Sequence, residues 1–470
     1  MKILYIGSEA APYAATGGLG DVLGSLPEAV ANADKENDVR VAIPLYSQIS
    51  NEYRAKMKKV CEFTVQLAWR NLYCGVYKLK KGRVTYYFID NEYYFKRSKL
   101  YGEYDDGERF AYFSHAVIDM LEKIDFVPDV INANDWQTAD AVIYLKLSGK
   151  YPGVKTVYTI HNIEYQGKYD LYILGDIFAI REDQKSVVEY EGCINLTKGA
   201  IVTCDKLTTV SAKYAEEIRT PFFAHGLAPV INSVSDKVSG IVNGIDYKVY
   251  DPLHDGAIEA NFSAARVSNK KLCKAALQRE ASLDVSDDTP LVAMITRLAS
   301  HKGLDLVTRV IDEAVESGIQ FVVLGTGEAE YEQFFRELEE RHRGKVRAFI
   351  EFNKSMAKKI YAGADIFLMP SKSEPCGLAQ MIASRYGTVP IVRETGGLAD
   401  TIAPFNPETG EGNGITFFSY NAHDMLYAIK RAISLYNDKN AWKTLRKNAM
   451  TKDFSWSASA RLYLEMYKEL

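Results

Sequence analysis

The stretch PLVAMITRLASHKGLDLVTRVIDEAVESGIQFVVLG, residues 290–325, carries the pattern that decides the fold of this chain. Its two ends, 290–296 and 319–325, are short apolar runs of the kind that form buried β-strands. Between them apolar residues recur at helical spacing, and a glycine follows where the helix should end. These positions are Val307, Val310, Ile311, Ala314, Val315 and Gly318. The order strand, helix, strand predicts a β-α-β unit of a parallel sheet.

The same alternation continues beyond this stretch with short loops between the elements. The predicted strands are 346–350, 365–371 and 388–394, and the predicted helices are 327–342, 354–364 and 375–387. Taken together, these segments predict a doubly wound α/β domain.

The first half of the chain shows a similar alternation that is less regular. Its predicted strands are 2–8, 38–45, 129–135, 155–161 and 206–212. An aromatic-rich section, 91–113, interrupts the alternation. The segment GIVNGID, 240–246, predicts an apolar strand that ends in an Asn-Gly turn and joins the two halves.

Length, composition and charge limit the possible classes of protein. A chain of 470 residues predicts two or three domains, and 47 % hydrophobic with 25 % charged residues is typical of a globular protein. The net charge of −4 gives no reason to expect nucleic acid or an anionic membrane as a partner. Glu9 and Pro12 interrupt the first apolar run, so no signal peptide is expected. No window approaches the roughly 18 apolar residues of a membrane helix.

The cysteines are scattered along the chain without a Cys-x-x-Cys pair. They are Cys61, Cys74, Cys193, Cys204, Cys273 and Cys376. This spacing disfavours a zinc cluster or a disulfide framework and favours reduced thiols in a cytoplasm.

Two glycine turns repeat almost the same six residues. TGGLGD (16–21) and TGGLAD (395–400) agree at five of six positions, and each follows a predicted strand and opens a predicted helix. Backbone N–H groups at a helix N-terminus favour anions, and glycine allows a ligand to approach closely. Tight turns can recur by chance. The alternative is two α/β domains that each offer a glycine turn to a shared cleft.

Four polar positions near predicted strand ends have both a functional and a structural interpretation. Arg297 and Lys302 should lie at the carboxyl edge of the sheet, where they could grip a diphosphate, or they are solvated surface cations. Glu374 either contacts sugar hydroxyls or complements the dipole of a helix that begins at Pro375. His161 ends an apolar strand, where a lone histidine is more often structural than catalytic.

Two further features, the Asp135–Trp136 pair and the many tyrosines, also have a structural interpretation. Asp135 could cap the next helix through its side chain, and Trp136 could belong to the core. Many of the 31 tyrosines fall between residues 73 and 113. Flat aromatic rings suit sugar faces, but strand and core positions explain these tyrosines first.

Eight segments in this order resemble glycosyltransferase family five, the group of bacterial glycogen synthases and plant starch synthases. They are DDGERFAYF, INANDWQT, YTIHNIEYQG, GIVNGID, TRLASHKGLDL, GTGE, PSKSEPCGLAQM and TGGLADTI. The resemblance covers essentially the whole chain. It implies the GT-B fold: α/β, with two Rossmann-like doubly wound domains facing across a cleft. Residues 1–240 would form the acceptor domain and 241–452 the nucleotide-sugar domain, with a helix at 453–470 crossing back to the first.

The resemblance also implies a reaction. Glucose would pass from ADP-glucose to the 4-hydroxyl at the non-reducing end of an α-1,4-glucan such as glycogen. Configuration would be retained, and neither a metal nor another cofactor would be required. The enzyme would work in the cytoplasm.

Site residues follow by the same resemblance. Arg297 and Lys302 would neutralise the departing diphosphate, Glu374 would hold the glucosyl ring, His161 would face the sugar, and Asp135 would lie on the acceptor side. The donor would further meet Ala15, Thr16, Gly17, Gly18, Asp21, Gly325, Gly327, Cys376, Gly377, Leu378, Thr395, Gly396 and Gly397. The acceptor would meet Asn134, Trp136, Tyr165 and Gln166.

Two positions depart from the family pattern. Ala15 stands where the family has a lysine that reaches the donor phosphates, and the loss of one charged hydrogen bond, about 1.5–3 kcal/mol, predicts a weakened synthase. Asn134 stands where many relatives have histidine. Three other functions stay open: a retaining transferase that uses UDP-glucose or another nucleotide sugar, a catalytically silent glucan-binding protein, and a nicotinamide dehydrogenase. The missing dinucleotide glycine fingerprint counts against the last.

Overall fold

Two separate sheets, one in each half of the chain, organise the structure. The computed structural model describes residues 1–470. It divides into unit 1, residues 1–244 with 456–470, and unit 2, residues 245–455. The sequence placed the corresponding boundaries after residues 240 and 452, a few residues earlier.

Unit 1 is built on a nine-stranded sheet that is parallel over most of its width. Its strands run in the order β12-β11-β7-β6-β1-β2-β5-β4-β3, and β4 is antiparallel to both of its neighbours, β5 and β3. Strands β8, β10 and β9 form a small separate sheet. The strands are β1 Lys2–Ile6, β2 Asp38–Pro44, β3 Lys58–Leu67, β4 Arg70–Lys81, β5 Val84–Asp90, β6 Val130–Asn134, β7 Lys155–Ile160, β8 Lys168–Tyr169, β9 Glu189–Tyr190, β10 Cys193–Asn195, β11 Lys206–Thr209 and β12 Val238–Gly240.

The helices of unit 1 connect these strands. They are α1 Gly18–Ala33, α2 Asn51–Arg54, α3 Glu92–Phe95, α4 Asp106–Lys123, α5 Trp136–Ser148, α6 Leu174–Ile177, α7 Leu196–Thr203, α8 Ala212–Glu217 and α9 Ala228–Ser233. The aromatic-rich section contains α3 and the start of α4, and Tyr94, Phe95 and Tyr112 are buried there. The core explanation of these aromatics is therefore the correct one for them.

Unit 2 has a six-stranded parallel sheet in the order β15-β14-β13-β16-β17-β18. Its strands are β13 Leu291–Ile295, β14 Gln320–Leu324, β15 Val346–Phe349, β16 Ile366–Met369, β17 Val389–Arg393 and β18 Ile415–Phe417. Its helices are α10 Lys270–Glu280, α11 Leu304–Glu316, α12 Ala329–Arg341, α13 Lys354–Gly363, α14 Ala379–Arg385, α15 Gly396–Thr401, α16 Ala422–Asn437 and α17 Lys439–Thr451.

The apolar stripe that the sequence predicts on α11 faces the core of unit 2. Val307, Val310, Ile311, Ala314 and Val315 are each at most 3 % exposed. Gly318 has a φ of +97°, a left-handed conformation that residues with a side chain rarely adopt, and the helix ends two residues before it. The predicted β-α-β unit is confirmed.

The prediction of a strand over 240–246 is wrong, but the segment does join the two halves, since the boundary between the units falls after Gly244. Strand β12 lies earlier, at Val238–Gly240, and Ile241 adds one further backbone bond to Thr209. The chain then leaves the sheet: the carbonyl of Val242 accepts from Ser459 Oγ, and the N–H of Ile245 donates to Phe454. The apolar residues of this segment are therefore buried by loop contacts.

The last helix, α18 Trp456–Lys468, belongs to unit 1. It packs along α1, and Tyr467 donates its hydroxyl proton to Tyr5 of β1 over 3.0 Å. No helix of the protein combines the length and apolar composition needed to cross a bilayer.

Candidate active site

The sheet of unit 2 creates a crevice at the carboxyl ends of β13 and β16. From β13 the chain runs outward to β14 and β15 on one side, and then to β16, β17 and β18 on the other. The loops after the two central strands therefore diverge, which is where open α/β sheets bind ligands. A cavity of 240 Å³ lies there, lined by residues that include Arg297, Lys302, Glu374, Gly377 and Leu378. The structure thus brings five predicted site residues together.

Lys302 and Glu374 form an ion pair in this cavity. The Lys302 ammonium donates to Glu374 Oε2 over 2.8 Å, and the hydroxyl of Ser371 donates to the same oxygen over 3.0 Å. The side chain of Lys302 is 22 % exposed and that of Glu374 is 11 % exposed. Neither Lys302 nor Ser371 is hydrogen-bonded to the other oxygen of Glu374, Oε1. The Lys302 ammonium has three N–H donors, and two of them are not used in the bond to Glu374.

The predicted dipole role of Glu374 is wrong. Helix α14 begins at Ala379, not at Pro375, so Glu374 lies well before its first turn. Gly377, with a φ of +71°, interrupts any earlier helical turn. The hydrogen bonds from Lys302 and Ser371, and not a helix dipole, determine the position of the carboxylate.

Arg297 lies two residues after β13 and is exposed. Its Nη2 atom is 3.5 Å from His301 Nε2. Neighbouring glycines support this loop: a Cβ on Gly325 would lie 1.8 Å from the carbonyl oxygen of Thr296, and one on Gly327 would lie 2.0 Å from that of Leu298. These two predicted donor residues therefore allow close backbone packing that holds the Arg297 loop.

The second glycine turn packs beneath the loop that carries Glu374. The N–H of Gly397 donates to the carbonyls of Glu374 and Pro375, over 3.0 and 3.1 Å. A Cβ on Gly396 would lie 2.1 Å from the Glu374 carbonyl oxygen, and one on Gly397 would lie 2.2 Å from that of Cys376. Both glycines, Thr395 and Cys376 are buried. Gly397, which the resemblance assigns to the donor site, here holds the Glu374 loop through its amide.

In unit 1 the order of the strands reverses between β1 and β6, and Glu9 lies in the loop that follows β1 at this point. The Glu9 side chain is 2 % exposed. Its carboxylate accepts from the N–H of Thr16, from the Thr16 hydroxyl at 2.8 Å and from the N–H of Gly17 at 3.3 Å. Burial raises the pKa of Glu9, and these hydrogen bonds oppose the rise. A carboxylate of the chain itself therefore binds two amides that the resemblance assigns to the donor.

The first glycine turn itself lies on the surface of unit 1. Ala15, Thr16, Gly17, Gly18 and Asp21 are all exposed. The turn follows the first strand of its sheet, whereas TGGLAD follows β17, the fifth strand in the doubly wound order. The two copies therefore do not occupy equivalent positions in the two sheets.

Asp135 follows β6 and does not cap α5 with its side chain, so that prediction is wrong. Its carboxylate instead reaches β7 and accepts from the N–H of His161 over 2.7 Å. Its backbone, with φ 58° and ψ 177°, lies in a region that residues other than glycine seldom adopt and that clusters at functional sites. Burial raises the pKa of Asp135 to about 7, against hydrogen bonds from the N–H groups of His161 and Asn162.

His161 lies one residue beyond β7, beside Asp135. Its Nε2 atom is 2.9 Å from Asn134 Oδ1, the last residue of β6. Burial lowers the pKa of His161 to about 4, so the imidazole is neutral at pH 7. Asn134 is only 1 % exposed, and its amide donates to the carbonyls of Ile6 and Asn132.

The predicted acceptor residues divide into two groups. Trp136 and Tyr165 line an open groove of 510 Å³ together with Tyr169 and His225, and Tyr165 is 54 % exposed. Gln166 is buried, and its amide is bound to the carbonyls of Ile163 and His225 and to Asn195. Gln166 therefore shapes the groove through its protein contacts.

Glu9 is the site residue that the sequence interpretation missed, because it was used there only to exclude a signal peptide. An acidic residue three positions after a buried strand, before a glycine turn, is the signal that could have identified it. Among metal-binding patterns, no group of three or more His, Cys, Asp or Glu residues is placed to hold an ion.

Family comparisons match both halves of the chain. Residues 2–233 match the starch synthase catalytic domain family, and residues 278–449 match the glycosyl transferases group 1 family. A glycogen synthase of Geobacillus stearothermophilus is 48 % identical over 476 residues, with 100 % of this chain and 98 % of the relative covered. A glycogen synthase of Clostridium botulinum is 46 % identical, with 100 % and 99 % covered.

Solved structures give the same result at the level of the fold. The catalytic domain of starch synthase IV from Arabidopsis thaliana, bound to ADP and acarbose, has a TM-score of 0.89 at 33 % identity and covers 99 % of this chain and 98 % of its own. A sucrose-phosphate synthase from Thermosynechococcus elongatus has a TM-score of 0.62 at 16 % identity, with 100 % and 98 % covered. The second similarity concerns the fold alone.

Proposed function

This chain belongs to the family of glycogen and starch synthases, and from that premise we propose that it extends an α-1,4-glucan with glucose taken from ADP-glucose. Family membership makes it a glycosyltransferase with the GT-B fold that transfers glucosyl units from a nucleotide sugar to a glucan. The adenine nucleotide, the 4-hydroxyl acceptor and retention of configuration belong to the proposal. The ADP in the Arabidopsis structure supports the choice of nucleotide.

The observation that carries the proposal is the cationic crevice of unit 2. Breaking the anomeric C–O bond leaves negative charge on the diphosphate. Fixed cations aimed at that charge lower the barrier most where water is excluded. Arg297 can grip phosphate oxygens bidentately, and Lys302, oriented by Glu374, supplies a point charge.

The proposed transfer proceeds on one face of the sugar. The bond from the anomeric carbon to the diphosphate oxygen breaks with its electron pair on ADP, and a bond to the acceptor 4-oxygen forms on the same side. The proton of the acceptor hydroxyl passes to a phosphate oxygen. Glu374 would accept hydrogen bonds from glucosyl hydroxyls, and the neutral His161 would face the sugar.

We also propose that the reaction needs no metal or other cofactor, since Arg297 and Lys302 supply the positive charge. Radiolabelled transfer to glycogen is expected to continue at an unchanged rate after treatment with EDTA. A loss of activity that magnesium restores would contradict this part of the proposal.

The decisive experiment measures transfer of radiolabelled glucose to glycogen from ADP-glucose and from UDP-glucose. We expect kcat/KM to favour ADP-glucose by about tenfold or more, which corresponds to roughly 1.4 kcal/mol. Arg297→Ala and Lys302→Ala should each lower kcat by about 10²–10³. Arg309→Ala, which removes an exposed arginine of α11, is the matched control. Equal use of both donors, or binding of glycogen without transfer, would contradict the proposal.

A further inference from the structure

The side-chain amide of Asn134 has only one orientation that its surroundings allow. Its Nδ2 atom donates to the backbone carbonyls of Ile6 and Asn132, over 3.0 and 3.1 Å. Rotating the amide by 180° would place Oδ1 against these two carbonyl oxygens, and both donations would be lost in a buried site. Asn134 Oδ1 must therefore point to the other side, where it lies 2.9 Å from His161 Nε2.

This orientation determines which nitrogen of His161 carries a proton. An amide oxygen can only accept, so the 2.9 Å contact requires a proton on Nε2. No protein group is hydrogen-bonded to Nδ1. In the neutral ring Nδ1 then carries a lone pair and accepts hydrogen bonds, whereas it could not donate one.

We propose that Asn134 is a positioning residue that keeps the His161 proton on Nε2, so that Nδ1 accepts a hydrogen bond from a hydroxyl of the transferred sugar. The part that concerns the sugar rests on the proposed function. The part that concerns the proton rests on protein contacts alone. Asn134 itself is buried and acts only through His161.

The surroundings of His161 favour the neutral ring. Burial lowers its pKa to about 4. The titratable groups on the packed elements are Glu9 after β1, Asp135 after β6, and Tyr158 and Tyr214 on β7 and α8. Glu9, Tyr158 and Tyr214 each interact electrostatically with Asp135. A neutral acceptor also suits a sugar that gains positive charge as its C–O bond breaks, because an imidazolium there would repel it.

The first test needs no substrate. The protein contains seven histidines, so the imidazole nitrogens of the ¹⁵N-histidine-labelled full chain can be resolved by NMR, with His161 assigned by its loss in His161→Gln. At pH 7 we expect Nε2 of His161 to be protonated and Nδ1 to be unprotonated. In Asn134→Ala the two forms should exchange, whereas Asn37→Ala should leave them unchanged. Asn37 is the matched control because it is a buried asparagine of unit 1 whose amide donates to the carbonyl of Val30, away from Asn134 and His161. A proton on Nδ1 of the unaltered protein would overturn the proposal.

The second test uses kinetics to separate positioning from a merely structural effect. Asn134→Ala should lower kcat/KM for the donor by about tenfold, and Asn37→Ala should stay near the unaltered value. Asn134→Asp places a carboxylate at Nε2 and should raise the pKa of His161 by about 1–3 units. The acidic limb of the kcat/KM profile should move up with it.

Each failure has a separate meaning. If NMR shows the Nε2 proton but neither Asn134 variant differs from the Asn37 control in rate or pH profile, the positioning role is wrong. If the chain transfers glucose from no nucleotide sugar, the proposed function fails, and the NMR result still decides where the proton lies.

Discussion

Ala15 lies on the surface of unit 1 close to the buried carboxylate of Glu9. A Cβ placed on Gly20 would be 2.4 Å from the Ala15 Cβ and 3.1 Å from Glu9 Oε2, so the two side chains are neighbours. A lysine at position 15 would therefore lie beside Glu9, and the family resemblance assigns this lysine to the donor phosphates.

We expect Ala15→Lys to raise kcat/KM for ADP-glucose by about 10- to 100-fold, the equivalent of one charged hydrogen bond. Initial rates of glucosyl transfer over a range of donor concentrations measure this change. Ala15→Gln has similar reach without the charge and serves as the control. If Ala15→Lys leaves kcat/KM unchanged, or if Ala15→Gln raises kcat/KM as much, the absence of a positive charge at position 15 does not weaken the enzyme.

Asp135 combines an unfavourable backbone with a carboxyl group whose pKa is raised to about 7. A folded-state pKa above the unfolded value of 3.8 means that the folded protein binds the proton more tightly. Stability is therefore highest below pH 4 as far as this group is concerned, and it is lost as the pH rises through 7. Asparagine keeps an acceptor for the His161 N–H and has no charge.

Asp135→Asn is therefore expected to be more stable than the unaltered protein at pH 8, by on the order of 2 kcal/mol, with the difference shrinking toward pH 4. Urea unfolding between pH 4 and 8 checks it. The variant should lose transferase activity, because strained backbone of the kind seen at Asp135 clusters at functional sites and stability is given up there for function. If the free energies of unfolding of the two proteins changed with pH in the same way, folding would not raise the pKa of Asp135.

The two glycine turns are similar in sequence but differ in whether there is room for a side chain at their glycines. A Cβ on Gly17 or Gly18 meets nothing within 4 Å, whereas Cβ atoms on Gly396 and Gly397 would overlap the carbonyls of the Glu374 loop. Gly396 also has a φ of +44°. The turn before α15 is thus packed against backbone, and the turn before α1 is open.

We expect Gly397→Ala and Gly396→Ala to destabilise unit 2 by about 2–4 kcal/mol and to displace the loop that holds Glu374. Gly17→Ala and Gly18→Ala are the matched controls and should change stability by less than about 1 kcal/mol. Thermal unfolding of the four variants provides the comparison. A Gly397→Ala protein with an unchanged Tm would mean that the close carbonyl contact is not needed.

Apolar patterning predicts the elements well wherever burial alone determines the backbone. The strands from β13 to β17 and the core face of α11 are correct for this reason, and so is the position of Arg297 and Lys302 at the sheet edge. The pattern fails where long-range backbone contacts decide. Helix α14 begins at Ala379 because Gly396 and Gly397 hold residues 374–376 in a loop, and the apolar segment after Gly240 leaves the sheet for loop contacts.

The same limit applies to the site. That Asn134 Oδ1 faces His161 depends on the carbonyl of Ile6 in β1, a strand that is adjacent to β6 in the sheet although the two residues are 128 positions apart in sequence. Thr16 and Gly17 are only seven and eight residues from Glu9, but their bonds to it depend on the conformation of the loop between β1 and α1. Local spacing identifies which residue types lie at strand ends. It contains no information on which of their atoms are already occupied by other protein groups.

At the scale of the whole molecule, each unit has its own sheet and its own core, so each can unfold in its own transition. Helix α18 is separated in sequence from the rest of unit 1 by all of unit 2, yet it completes the first unit. Its buried side chains include Trp456, Tyr463, Leu464, Met466 and Tyr467. Burying a large apolar side chain contributes about 1.5–3 kcal/mol, so together they amount to much of a domain's stability of roughly 5–15 kcal/mol.

Deletion of residues 456–470 is therefore expected to unfold unit 1 while unit 2 keeps its transition. Differential scanning calorimetry should show one transition lost or lowered by more than about 10 °C, and limited proteolysis should leave a resistant fragment from 245–455. Deletion of 469–470 alone, which removes no buried side chain of α18, is the control. Tyr467→Phe keeps the packing and loses only the hydroxyl bond to Tyr5, so it should lower stability by about 1 kcal/mol. If the truncated chain retained both transitions, α18 would be an appendage rather than a part of the core of unit 1.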